Sequence, residues 1–106
     1  METIEKFLDQ VPRAVLLPAS TPIHRLFGLE KSMGYVEIYV KRDDMTGIGP
    51  GGNKIRSLEY LLGEAEKRNC DIVLTAGPEQ SNLCTLTAAA CAKLGMRCEL
   101  IHNSSE

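Results

Sequence analysis

Lys54 stands directly behind two glycines and an asparagine in GPGGNKIRSLEYLLGEA, residues 50 to 66, at the mouth of an amphipathic pattern. Glycines let a backbone approach a ligand closely, and unpaired N–H groups at a helix start favour anions. A lysine there can contact an anion, or act as a nucleophile whose amine condenses with an aldehyde. The bland alternative is a solvated first-turn residue, the ordinary state of a surface lysine. Further on, TAGPEQSN (75 to 82) sets Ser81 and Asn82 behind another glycine. Both residue types lead at helix N-caps, and both can hydrogen-bond a ligand.

Two familiar phosphate motifs do not account for Lys54. A phosphate loop needs Gly-Lys-Ser/Thr in series, whereas Asn53 separates Gly52 from Lys54 and Ile55 follows. GIGPGG, Gly47 to Gly52, matches G-x-G-x-x-G by letter, but Arg42 to Thr46 intervene between the preceding strand pattern and its first glycine. The next strand pattern ends in Thr75, Ala76 and Gly77 without the ribose-binding acid. No metal site is expected either. Asp43 and Asp44 have no histidine at ligand spacing and read as a strand-end turn, ion-paired with Lys41 or Arg42. His24 and His102 receive no role.

The elements that must position these residues follow from hydrophobic periodicity. Residues 4 to 10 predict a short helix ending before Pro12, and LLPASTP (16 to 22) an extended connector. YVEIYVKRDD alternates Val36, Ile38 and Val40 with Glu37, Tyr39 and Lys41, a strand signal. From Asn53, a plausible cap, to Arg68, the apolar residues Ile55, Leu58, Leu61, Leu62 and Ala65 fall at helical spacing. DIVLTAG (71 to 77) suits a strand buried on both faces of a parallel sheet. A second, largely covered helix follows, capped by Ser81 or Asn82 and ended by Gly95, and MRCELIH (96 to 102) is the next strand. The expected fold class is therefore α/β: a doubly wound parallel sheet with crossover helices, strand-helix-strand-helix-strand. Its outer strands are apolar and lack cover, so either the chain is a fragment or something else covers it.

Composition is that of a soluble globular chain: 106 residues, 43% hydrophobic and 25% charged. A net charge of -2 with interspersed signs offers no basic stripe, so nucleic acid is not an expected partner. METIEKFLDQ lacks the features of a secretory signal and no run approaches the ~20 apolar residues of a membrane span, so the expectation is a cytoplasmic protein without a membrane partner. Cys70, Cys84, Cys91 and Cys98 lack C-x-x-C spacing and read as small buried hydrophobes.

KRDDMTG, GGNKIRSLEYLLGEA and TAGPEQSN, in that order, resemble the D-cysteine desulfhydrase and 1-aminocyclopropane-1-carboxylate deaminase family of fold-type-II pyridoxal phosphate enzymes. The likeness runs from TPIHRL at residue 21 to LIH at 102 and corresponds to the N-terminal third of such an enzyme. It implies a larger two-domain protein: residues 1–70 form the segment with the cofactor lysine and 71–106 begin a second α/β unit. It implies pyridoxal 5'-phosphate as cofactor, held by Lys54 as a Schiff base and contacted by Asn53 and Asn82. Lys54 then serves as base on the substrate α-proton, and Ser81 as a catalytic contact to the substrate carboxylate. The implied reaction is β-elimination on a small amino acid, D-cysteine to pyruvate, ammonia and hydrogen sulfide, in a homodimer. The deaminase and L-cysteate sulfo-lyase activities are the alternatives, and a truncated non-catalytic docking module is the alternative of another class. Two positions depart from the family pattern: Ser57 stands where a phosphate-contacting lysine is usual, and Leu83 where histidine or glutamine is usual. The family's phosphate-cradling loop comes from later sequence, so these 106 residues alone are expected to be inactive.

Overall fold

The computed structural model describes residues 3–103. Its elements are α1 (Ile4–Asp9), β1 (Ile23–Arg25), α2 (Phe27–Met33), β2 (Tyr39–Lys41), a 3-10 turn (Asp43–Met45), α3 (Lys54–Lys67), β3 (Ile72–Pro78), α4 (Asn82–Leu94) and β4 (Arg97–Asn103). β3 and β4 are parallel, in register from Ile72 opposite Arg97 to Pro78 opposite Asn103, with α4 as the crossover between them. The class is thus α/β with a parallel sheet, as the sequence predicts.

The three-strand succession is not what forms. The strand signal at Val36 to Lys41 narrows to Tyr39–Lys41 and pairs antiparallel with β1, in a separate two-stranded ribbon. The parallel sheet holds β3 and β4 only, among the described residues. Local alternation marks extended backbone but carries no information about the partner. Here Arg25 bridges to Glu30 of α2, and Glu30 also accepts the Ile38 N–H at 2.9 Å, tying β2 back to the ribbon. β3 also differs from expectation. Leu74 is 60% exposed, so one face of the strand is bare within this chain.

α3 and α4 start and stop for local reasons. Ser81 Oγ accepts the Cys84 N–H at 3.2 Å, an N-cap that satisfies one orphan donor. Gly95 takes the left-handed conformation, φ +74°, and the Met96 N–H reaches the Cys91 carbonyl at 2.9 Å, closing the helix. The core lies between these helices and the N-terminal connector: Leu16, Ile55, Leu58, Leu62, Leu86, Ala90 and Cys91 are buried together. Burying each large member contributes about 2 kcal/mol.

Glu59 on α3 fastens the connector to this core. Its buried carboxylate accepts from Arg13 Nε at 3.0 Å, from the Leu16 N–H at 2.9 Å and from the Leu17 N–H at 3.1 Å. Its own carbonyl accepts from the Ala14 N–H at 2.8 Å. One turn on, Gly63 lets the backbone of Pro12 and Arg13 lie against the helix; a Cβ there would stand 2.7 Å from that backbone. On the other side, α3, β3 and α4 leave an apolar groove of about 270 Å³ lined by Leu58, Leu61, Leu62, Val73, Leu74 and Leu83. The radius of gyration, 17.2 Å, exceeds the roughly 13 Å of a compact domain of this length.

Candidate active site

Two loops meet at the N-terminal ends of α3 and α4. The first begins at the 3-10 turn and runs through Gly47, Gly49, Gly51 and Gly52, all with positive φ, into Lys54. Two of these glycines are required. At Gly51, φ +80°, a Cβ would collide with the Asp44 carbonyl oxygen. At Gly52, φ +115°, it would stand 3.1 Å from Asn82 Nδ2. The loop is closed by its own backbone: the Gly51 N–H donates to the Ile48 carbonyl at 3.0 Å and the Gly52 N–H to the Asp43 carbonyl at 2.7 Å.

Asn82, the first residue of α4, brings the second loop onto the first. Its Nδ2 donates to the Gly51 carbonyl oxygen at 3.4 Å, which leaves its second amide hydrogen and its Oδ1 available. Ser81 beside it uses an oxygen lone pair for the cap and retains its O–H for another acceptor. Gly77 sits beneath: a Cβ there would be 3.0 Å from Ser81 Oγ. GGNK and QSN, separated in sequence, are thus neighbours in space.

Lys54 is the first residue of α3, exposed, and its amine makes no hydrogen bond or ion pair among the described residues. Asn53 occupies the N-cap position, but its side chain makes no capping bond. The reason is its backbone, φ -74° and ψ -16°, which is helical rather than the extended conformation that turns a cap side chain back onto the first turn. The expected cap is therefore absent, and the start of α3 keeps donors unmatched by its own cap. Thr46 Oγ1, in the same loop, is buried without a hydrogen-bond partner among the described residues.

Around this centre the charges are paired. Arg56 Nε donates to Asp43 Oδ2 at 2.9 Å and Nη2 to Oδ1 at 2.8 Å, while Nη2 also reaches Thr21 Oγ1 at 3.1 Å. Lys41 Nζ donates to the Thr21 carbonyl at 2.6 Å. The Arg56 hydrogen bonds hold the Asp43 carboxyl below the usual carboxylate range against the opposing effect of burial, with Thr21 assisting. Asp44 pairs with Arg42 at 2.7 Å, as the sequence suggests. The Asp43 pairing is different: its partner lies on α3, and only the fold brings the two together. No group of three or more histidine, cysteine, aspartate or glutamate residues that could hold a metal ion occurs among the described residues. Ser57 is exposed, and Leu83 lines the apolar groove.

Comparison with known proteins bears on this geometry. The family model described as "Pyridoxal-phosphate dependent enzyme" matches residues 15–106. A Pyrococcus abyssi protein named for 1-aminocyclopropane-1-carboxylate deaminase is 48% identical over 103 residues, covering 97% of this chain and 31% of that protein. A D-cysteine desulfhydrase of Yersinia pestis is 45% identical over 96 residues, covering 91% of this chain and 29% of that protein. The crystal structure of an ACC deaminase homologue superposes on all of this chain with a TM-score of 0.87 at 42% identity, over 33% of its own length. The chain spans about a third of the length of these relatives.

Proposed function

Because this chain belongs to the pyridoxal-phosphate dependent enzyme family, we propose that Lys54, Ser81 and Asn82 form the working part of a lyase for small amino acids. The cofactor is pyridoxal phosphate. The residues fit it: an amine without a partner, a cradle where a Gly52 Cβ would crowd Asn82, a helix start without a side-chain cap, and an orphaned Thr46 hydroxyl. The observation that carries the reading is the docking of Asn82 on the GGNK loop at Gly51, three residues before Lys54.

When bound, pyridoxal phosphate supplies an electron sink for negative charge at the substrate α-carbon. Lys54 Nζ would hold the cofactor and, as a neutral amine, would take the proton at the substrate α-carbon. Asn82 Nδ2, anchored by one hydrogen to Gly51, offers the other to the cofactor ring oxygen. Asn53, its side chain free, is a further cofactor contact. Ser81 Oγ, fixed by the Cys84 N–H, offers its proton to the substrate carboxylate. The favoured reaction is β-elimination of D-cysteine to pyruvate, ammonia and hydrogen sulfide. The deaminase and L-cysteate sulfo-lyase reactions use the same groups, and products separate the three: sulfide, 2-oxobutyrate or sulfite.

The whole protein in this reading is a cytoplasmic homodimer of two-domain subunits, with residues 1–70 carrying the lysine and 71–106 opening the second unit. The chain's bare face at Leu74 and Ile101 is then covered by further sequence. These 106 residues by themselves are inactive, because a phosphate held at one helix end binds weakly. The test is borohydride reduction of the complete protein loaded with pyridoxal phosphate, followed by intact mass and peptide mapping. A reduced adduct on Lys54, abolished in Lys54→Ala, supports the reading. A protein of 11.6 kDa from its natural source carrying no adduct overturns it in favour of a non-catalytic docking module.

A further inference from the structure

Asp43 contacts the chain on both sides of Lys54. Its backbone carbonyl accepts the Gly52 N–H at 2.7 Å, two residues before the lysine. Its carboxylate takes the Arg56 guanidinium at two points, 2.9 and 2.8 Å, two residues after it. Thr21 closes the arrangement, donating its hydroxyl to Asp43 Oδ1 at 3.1 Å and receiving Arg56 Nη2 at the same distance. A lysine side chain has four rotatable bonds, so the direction of its amine depends on how firmly its own backbone is held. At Lys54 the preceding loop is built from positive-φ glycines, and Asn53 gives no side-chain cap. The Asp43 bonds hold the segment by other means, through the Gly52 N–H and the Arg56 side chain. They fix Gly52 of the loop and Arg56 of the first helical turn to a single residue.

We propose that Asp43, through Arg56 and the Gly52 N–H, is the positioning residue for Lys54: it sets the direction from which the amine meets its electrophile. The inference rests on the functional reading above and goes beyond it, since it gives Asp43 a role exerted through Arg56 and Gly52. A planar two-point pair resists rotation of the first turn in a way that a single contact does not. Misplacement of a reacting group by about 1 Å costs on the order of a hundredfold in rate, so loosening of this clamp should be visible kinetically.

The complete protein, stripped of cofactor and mixed with pyridoxal phosphate, is quenched with borohydride at timed intervals, and adducts are mapped by peptide. Asp43→Asn removes the ion pair at constant size, and Arg56→Lys keeps the charge but loses the fork. Both should slow adduct formation at Lys54 by about tenfold while the exposed Lys31 and Lys67 react at the wild-type rate. In the loaded enzyme kcat should fall with KM little changed, and Asp43→Glu should restore part of the Lys54 rate. If Asp43→Asn does not fold, Arg56→Lys carries the test, since it keeps a cation beside Asp43. Wild-type adduct formation at Lys54 in the folded variants overturns the positioning role alone. Failure of wild-type protein to form any Lys54 adduct overturns the functional reading and this inference with it.

Discussion

Asn82 Nδ2 donates to the Gly51 carbonyl oxygen at 3.4 Å, joining the first residue of α4 to the loop that delivers Lys54. The bond is long and contributes no more than about 1 kcal/mol to stability. Its value is spatial, because it places a donor on the loop that leads into Lys54. Asn82→Ala in the complete protein should therefore weaken pyridoxal phosphate binding several-fold while moving the melting temperature little. An absorbance titration with cofactor beside a thermal melt checks both. A large loss of stability with unchanged affinity would assign Asn82 a structural role instead.

Gly51 is the least replaceable residue of the loop. Its φ of +80° already disfavours any side chain, and a Cβ would run into the Asp44 carbonyl. Strain and overpacking together predict that Gly51→Ala costs about 2–4 kcal/mol. Gly28 in α2 is the control, since a Cβ there meets nothing within 4 Å. Gly28→Ala should leave stability unchanged or raise it by up to about 1 kcal/mol through helix propensity. Denaturant melts of the two variants give the comparison.

These glycines also show what the sequence could and could not reveal. The GGNK and QSN blocks are legible because each sits where a glycine meets a helix start, and helix starts are written in local periodicity. β3, α4 and β4 are legible for the same reason. The partner of β2 is not. Ile23–Arg25 is three residues long, without alternation, and its pairing is decided by contacts from Glu30 to Arg25 and Ile38. The Asp43 to Arg56 pair is likewise hidden, because Lys41 and Arg42 are nearer cations in sequence and only the path of the glycine loop selects Arg56. The residue type of Asn53 suggests a cap, but its helical φ and ψ keep its side chain from capping α3.

Glu59 should dominate the stability of the N-terminal connector. Its carboxylate is 2% exposed and gathers Arg13 and the N–H groups of Leu16 and Leu17. Glu59→Ala leaves those backbone donors without an acceptor and opens a space in α3, a loss of about 3 kcal/mol. Limited proteolysis should then cut the connector between residues 11 and 22 faster than in wild type. Equal cleavage rates would mean that Leu16 burial alone holds the segment.

Acid should loosen the β1–β2 ribbon and the Asp43 clamp together. Arg25, aided by the Ile38 N–H, holds the Glu30 carboxyl below its usual range, and Arg56 does the same for Asp43. With the folded-state values depressed, the unfolded chain binds more protons in the acid window. The stabilisation is complete above about pH 4, the ordinary carboxylate range, and is lost as pH falls through the folded values. The melting temperature should therefore decline below about pH 4. Glu30→Gln should start lower and decline less steeply, and a melt series from neutral pH down to the acid limit reads the two slopes.

Thiol labelling tests the packing of α4 against the sheet. Cys70 is exposed, Cys98 half-buried, and Cys84 and Cys91 buried, all as free thiols. The expectation of four buried cysteines thus fails at Cys70, which follows the C-terminal end of α3, where no element among the described residues covers it, and is met only in part at Cys98. Burial first, and the neighbouring Cys98 second, push the Cys91 thiol up to about 11. Since the thiolate is the nucleophile, Cys91 at pH 8 is both shielded and protonated. A maleimide should react at Cys70 within minutes, at Cys98 more slowly, and at Cys84 and Cys91 only at the rate of unfolding. Labelling of Cys91 as fast as Cys70 under native conditions would mean that α4 separates from β4 readily, and Ser81 and Asn82 at the head of α4 would then lack a fixed base.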